Sequence, residues 1–233
     1  MADRKTPTIT KRGAARLRAP PKPVDDATLA AIMQRFQAAD PNPRGELEHV
    51  DPYTLLVAVV LSAQATDRSV NIATERLFKV ADNPAAMVAL GEERLTEHIR
   101  AIGLFRTKAR NVVALSRRLV EEHGGVVPPA RAVLESLPGV GRKSASVVLN
   151  VAFGEPTIAV DTHVFRVSNR IPIVVATTPG EVQLGLERRV PAEFLLHAHH
   201  WLILHGRYAC KARTPECPRC LIRDLCQYPA KTV

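Results

Sequence analysis

No cysteine precedes Cys210 in this 233-residue chain, so a disulfide framework spread through the fold is excluded. No apolar run approaches the ~20 residues that a membrane-crossing helix requires; the longest, Leu55 to Leu61, has the length of a core segment. The first residues lack the apolar stretch of a secretory leader, which points to a soluble protein with no membrane partner, living inside the cell in a reducing compartment. No segment alternates convincingly between apolar and polar residues. Ile171 to Ala176 is the best strand candidate, and it is short. What remains is an all-α chain of about ten or more short helices, with enough apolar residues to build a real core.

Acid is scarce too, and unevenly so. Residues 1–22 carry seven Lys and Arg against one acid, Asp3, within a formal net charge of +9 for the whole chain. This excess suits a polyanionic partner. Pro20, Pro21 and Pro23, with few large apolar groups, mark residues 1–23 as a disordered basic arm. An arginine-rich, acid-poor leader is also compatible with a short transit peptide.

From Asp25 onward the punctuation is helical. Asp25 or Asp26 caps a helix over Ala27–Ala38. Asp51-Pro52 opens an apolar, central helix that runs to about Ala63, and Asp67 caps one that runs to about Val80. Asn83-Pro84 starts a helix that stops before Gly91, and Glu92–Ala101 follows. Arg106–His123 is long and amphipathic and ends at Gly124-Gly125. Pro128-Pro129 begins a short helix to about Ser136. Arg142–Phe153, a helix from near Thr162, Pro179–Arg189 and Pro191–His205 complete the series.

The four cysteines, Cys210, Cys217, Cys220 and Cys226, have the spacing C-x6-C-x2-C-x5-C. Four thiolates can hold a [4Fe-4S] cluster or a structural zinc ion. Four-cysteine zinc sites usually use two close pairs and only one is present, so the spacing favours iron–sulfur. Four thiols already satisfy a metal, so His197, His199, His200 and His205 read as core and surface residues of their helix.

The segment Leu137-Pro138-Gly139-Val140-Gly141-Arg142-Lys143 puts a glycine turn before a helix N-terminus. Gly139 and Gly141 let the backbone approach another molecule, and the bare N–H groups favour an anion such as a phosphate. The plainer alternative is an ordinary tight turn between helices. Lys143 sits in the first turn of that helix, where the dipole, partial burial and the adjacent Arg142 should favour the neutral, nucleophilic amine. Asp161, flanked by apolar residues, should cap the next helix and could also stabilise positive charge on a sugar.

These segments, with VLSAQATD, IGLF, AVDTHVFRV and HHWLILHGRYAC, resemble the endonuclease III family of helix–hairpin–helix DNA glycosylases over roughly Asp25 to Tyr228. The resemblance implies a two-lobed helix–hairpin–helix fold with a C-terminal [4Fe-4S] loop. A six-helix lobe would span 45–155, and a cluster lobe would combine 24–44 with 156–233. It also implies a monomer acting on duplex DNA with damaged pyrimidines or abasic sites. The activity would be that of a bifunctional DNA glycosylase and lyase in base excision repair, through a lysine Schiff base and β-elimination. Lys143 would be the nucleophile and Asp161 the assisting carboxylate. Gln64 and Leu104 would fill the gap left by the extruded nucleotide; without the resemblance they read as a helix-end glutamine and a core leucine. Gly139, Gly141, Arg142, Lys211 and Arg213 would meet the DNA backbone, and the cysteines would ligate the cluster. The alternative, from a different class, is a non-catalytic iron–sulfur module that binds DNA or senses redox state.

Overall fold

The computed structural model describes residues 21–232; the basic arm expected from the sequence lies, up to residue 20, outside them. Among the described residues there are α-helices and 3₁₀ turns but no strand. The helices are α1 (Asp26–Ala39), α2 (Pro52–Leu61), α3 (Asp67–Leu77), α4 (Pro84–Ile99), α5 (Phe105–His123), α6 (Arg131–Ser136), α7 (Arg142–Phe153), α8 (Thr162–Arg170), α9 (Pro179–Arg189) and α10 (Leu195–Tyr208). None of them is long and apolar enough to cross a membrane.

Short-range chemistry sets most boundaries. The Asp25 carboxylate accepts from Thr28 N at 2.7 Å and starts α1. Asp51 and Thr54 form a reciprocal capping box for α2, and Thr178 and Glu181 do the same for α9. Gly124 and Gly154 take left-handed conformations and close α5 and α7. Gly91, at φ 78°, breaks α4 into the two helical pieces that the sequence indicates. Each cap contributes roughly 1 kcal/mol. Burying each of Leu29, Ile32, Met33 and Phe36 in α1 contributes about 1.5–3 kcal/mol, so packing outweighs capping even in this short helix.

Several details depart from expectation. Thr66, not Asp67, caps α3, because the Asp67 carboxylate is taken by Arg207, 2.7 Å away. α3 ends at Leu77 rather than near Val80. α6 starts only at Arg131: Pro128 precedes a proline, which disfavours helical backbone there, and Ala130 is extended. Pro191 introduces a 3₁₀ turn, Ala192–Phe194, and α10 then runs past His205 to Tyr208. Ile171 to Ala176 is not a strand. Its amides turn back onto α8, with Ile173 N and Val174 N both reaching Ser168 O, and Ile171 and Ile173 are buried.

The buried apolar side chains form two clusters. One draws on α2 to α7, from Tyr53 to Leu149. The other joins Val24 to Phe36 with Ile158 to Ile222. α2 is the centre of the first, with nine of its ten residues buried, and packs against α7. The Arg189 guanidinium fastens the ends of the second, donating to the carbonyls of Ile173 and Val24 and pairing with Asp26.

Candidate active site

A cavity of about 160 Å³ lies where elements of the two clusters meet. Leu55 and Val59 of α2 and Lys143 and Val147 of α7 line it from one side. Asp161, at the start of α8, and His199 and Arg207 of α10 line it from the other. An apolar cavity of ~150 Å³ is large enough to take up benzene, so one six-membered ring fits here.

Lys143 is exposed in the first turn of α7. This corrects the expected partial burial: the hairpin ends so close to the surface that the side chain reaches over the cavity rather than into core. Gly141, the N-cap, supplies no side-chain cap, and a Cβ added there would meet nothing within 4 Å. The first amides of α7 are therefore bare beside open space. Gly139 differs. It has φ +79°, and a Cβ would lie 2.9 Å from Asn111 Nδ2, so both conformation and packing demand glycine. Arg142 donates Nε to Gln183 Oε1 at 3.1 Å, which leaves its terminal nitrogens facing outward.

Asp161 is half-buried, and its Oδ1 accepts from His163 N and Val164 N, each at 2.8 Å. Oδ2 has no partner among the described residues, so the side chain caps α8 and still offers an oxygen at the cavity. The same wall holds an ionic bridge that the sequence did not reveal. Arg207 pairs with Asp67 of α3 at 2.7 Å and with Glu46 in the segment before α2. His199 and His200, buried as a core reading expects, also line the cavity. Burial, with His200 next for His199 and His197 next for His200, lowers each ring's pKa to about 4. The signal for them was spacing: His199, Ile203 and Arg207 recur at i, i+4 and i+8, which is one stripe of α10.

Gln64 and Leu104 are the unexpected backbone features. Both are exposed, and both adopt the left-handed region, at φ 54° and φ 59°. Leu104 is 58% exposed, so it is not a core leucine. A non-glycine residue in this conformation costs roughly 1–3 kcal/mol, and an exposed leucine returns nothing to folding. The two loops are neighbours, since a Cβ on Gly103 would lie 3.8 Å from Gln64 O.

The cysteines gather at the end of the second cluster, all with free thiols, around one small cavity beneath Arg170 and Tyr228. Burial pushes the Cys220 and Cys226 thiols up. Donors already face the sulfurs: Arg170 Nη1 lies 3.6 Å from Cys210 Sγ and Tyr228 N lies 3.5 Å from Cys226 Sγ. Among the described residues no three His, Cys, Asp or Glu groups converge on a single metal ion. Four thiols around a shared cavity, with N–H donors to sulfur, fit a thiolate-held cluster. In the loop between the first two cysteines, Lys211 is neutralised by Glu216, whereas Arg213 is exposed and without an ion pair among the described residues.

Residues 57–192 match the model of the HhH-GPD superfamily of base excision DNA repair proteins. The chain is 55% identical to endonuclease III of Treponema pallidum (strain Nichols), over 87% of this chain and 96% of that protein. It is 54% identical to endonuclease III of Escherichia coli (strain K12), over 89% and 99%. Among solved structures, a trapped covalent endonuclease III–DNA intermediate superposes with a TM-score of 0.82 at 43% identity, covering 88% of this chain and 97% of that one. A thermostable thymine-DNA glycosylase shares the fold at 23% identity and a TM-score of 0.78.

Proposed function

This chain belongs to the endonuclease III family within the HhH-GPD superfamily of base excision DNA repair proteins, and from that premise we propose how it works. It is a DNA glycosylase and abasic-site lyase that acts on duplex DNA, and its substrates are oxidised or ring-saturated pyrimidines. The observation that carries the reading is that Lys143 and Asp161, from helices of different clusters, line one cavity sized for a single ring.

In the reaction, an extruded nucleoside enters the cavity. The Lys143 amine attacks C1′, the C1′–N bond breaks, and the base leaves with the bonding electrons and takes up a proton. The sugar ring opens to a lysine Schiff base. Loss of a 2′ proton then expels the 3′ phosphate by β-elimination. Asp161 Oδ2 faces the positive charge that develops on the sugar and can hold the transferred proton. The bare amides of α7, the Gly139–Gly141 turn and the outward nitrogens of Arg142 grip a phosphate without reading sequence. Gln64 and Leu104 occupy the gap in the duplex. Their strained, exposed loops suit insertion better than packing.

Cys210, Cys217, Cys220 and Cys226 would hold the [4Fe-4S] cluster. Held by these four thiolates, it would stiffen the loop whose Arg213 meets the backbone. Lys211, tied to Glu216, contributes less to that contact. The two clusters of buried side chains support a reading of two lobes, 45–155 and 24–44 plus 156–233, with DNA across the groove between them, and the protein acts as a monomer in the cytoplasm.

Borohydride trapping tests the assignment. The wild-type protein should form a covalent complex with duplex DNA carrying dihydrouracil, and a Lys143→Gln variant should not. Tight DNA binding without a trapped complex would instead favour a non-catalytic module.

A further inference from the structure

His199 is buried in α10, with its Nδ1 2.8 Å from the carbonyl oxygen of Ala159. A carbonyl oxygen only accepts, so Nδ1 carries a proton. The ring, with its pKa lowered to about 4 by burial, is neutral at physiological pH. In that tautomer Nε2 is an acceptor only. Nε2 has no hydrogen-bond partner among the described residues, and it is not among the buried atoms left orphaned in packed core. It therefore opens onto the cavity that His199 shares with Lys143 and Asp161.

Much of the wall around it is apolar: Leu55, Val59, Val147 and Val151. A fixed lone pair in such a wall makes a specific demand. The occupant must bring a hydrogen-bond donor, or the acceptor is left dry and unpaired. The edge of a saturated or oxidised pyrimidine carries an N–H; an abasic sugar has no such group to offer.

We propose that His199 Nε2 accepts a hydrogen bond from a ring N–H of the extruded base, making His199 a residue that selects at the base-excision step and is nearly silent at the lyase step. This rests on the glycosylase reading above and adds to it a group that senses the base itself.

The test compares three duplexes, carrying dihydrouracil, N3-methyl-dihydrouracil or an abasic site, under single-turnover conditions. His199→Asn keeps an N–H placed to reach Ala159 O but removes the acceptor at the Nε2 position. His199→Gln returns an amide to that position. The wild-type protein should excise dihydrouracil about ten- to hundredfold faster than its N3-methyl form, the range set by one unpaired buried acceptor. His199→Asn should lose about that factor on dihydrouracil and treat the two bases alike, while its abasic-site trapping changes less than about threefold. His199→Gln should recover part of the loss. Equal losses on base-bearing and abasic duplexes would overturn the proposal by placing the effect on Lys143 or on the scaffold. So would wild-type indifference to N3 methylation, a result that needs no variant. Failure of the glycosylase reading is separately visible, because the wild-type protein would then release no base from the dihydrouracil duplex, whether or not it traps the abasic one.

Discussion

Two helix starts face the same cavity and are finished in opposite ways. α7 begins at Gly141 with no side-chain cap and an exposed lysine in its first turn. α8 begins at Asp161, whose carboxylate satisfies two amides of its own helix. A bare terminus can bind an anion from outside; a capped one cannot, and presents negative charge instead. The pair therefore forms a polarised slot, with phosphate attracted to one wall and a cationic sugar centre stabilised by the other.

The largest effect should come from removing chemistry while leaving both helix starts intact. Lys143→Gln should reduce Schiff-base trapping to the detection limit with an unchanged melting temperature, because the exposed side chain makes no packing contribution. On the other wall, Asp161→Asn and Asp161→Ala separate two roles. Asparagine still caps, so its activity should fall by about 10²–10⁴ with little loss of stability. Alanine should lose the same activity and, in addition, about 1 kcal/mol, seen as a melting temperature lower by about 2–4 °C. If the two variants melt alike, the cap is not what holds α8.

The two hairpin glycines sharpen the contrast further. Gly139→Ala should destabilise the protein by at least 1 kcal/mol, since the new Cβ meets Asn111 and the φ is left-handed. Gly141→Ala should fold normally but bind DNA more weakly, because its Cβ enters the space left for a phosphate. Acid should then weaken the α8 side selectively. His199, His200 and His205 all have folded pKa values lowered to about 4, chiefly by burial, from an ordinary 6.5. Such groups bind protons more readily once unfolded, so stability is whole above about pH 6.5 and falls as pH drops towards 4. Thermal melts across that range should show the loss, and a flat profile would mean that the histidines are not buried in solution. The smallest effect belongs to Arg142→Ala, which should reduce the slope of log affinity against log salt by about one.

What could be read from the sequence divides along physical lines. Caps at Asp25, Asp51, Asn83 and Asp161, and the closure at Gly124, were legible because each depends on atoms a few residues away. The lysine–carboxylate pair was legible only because its flanking motifs resemble a known family; nothing local says that residues 143 and 161 share a cavity. Asp67 was misread because its partner, Arg207, is distant in the chain and competes with the local cap. Leu104 reads as core from its apolar side chain, and only its backbone conformation turns it outward. His199 and His200 lie on a helix whose other residues are mostly apolar, so they looked like passengers until the cavity placed them.

The second cluster joins Leu29, Ile32, Met33 and Phe36 to partners as far along the chain as Ile222. During synthesis those four side chains must wait for Ile222, about 10 to 40 s at elongation rates of 5–20 residues per second. The first cluster, drawn from a continuous stretch, can close in the meantime. The cysteine loop leaves the ribosome after the helices it packs against, so a polypeptide cut short before it by translational error keeps a greasy α1 incompletely covered, and quality-control proteases should find it readily.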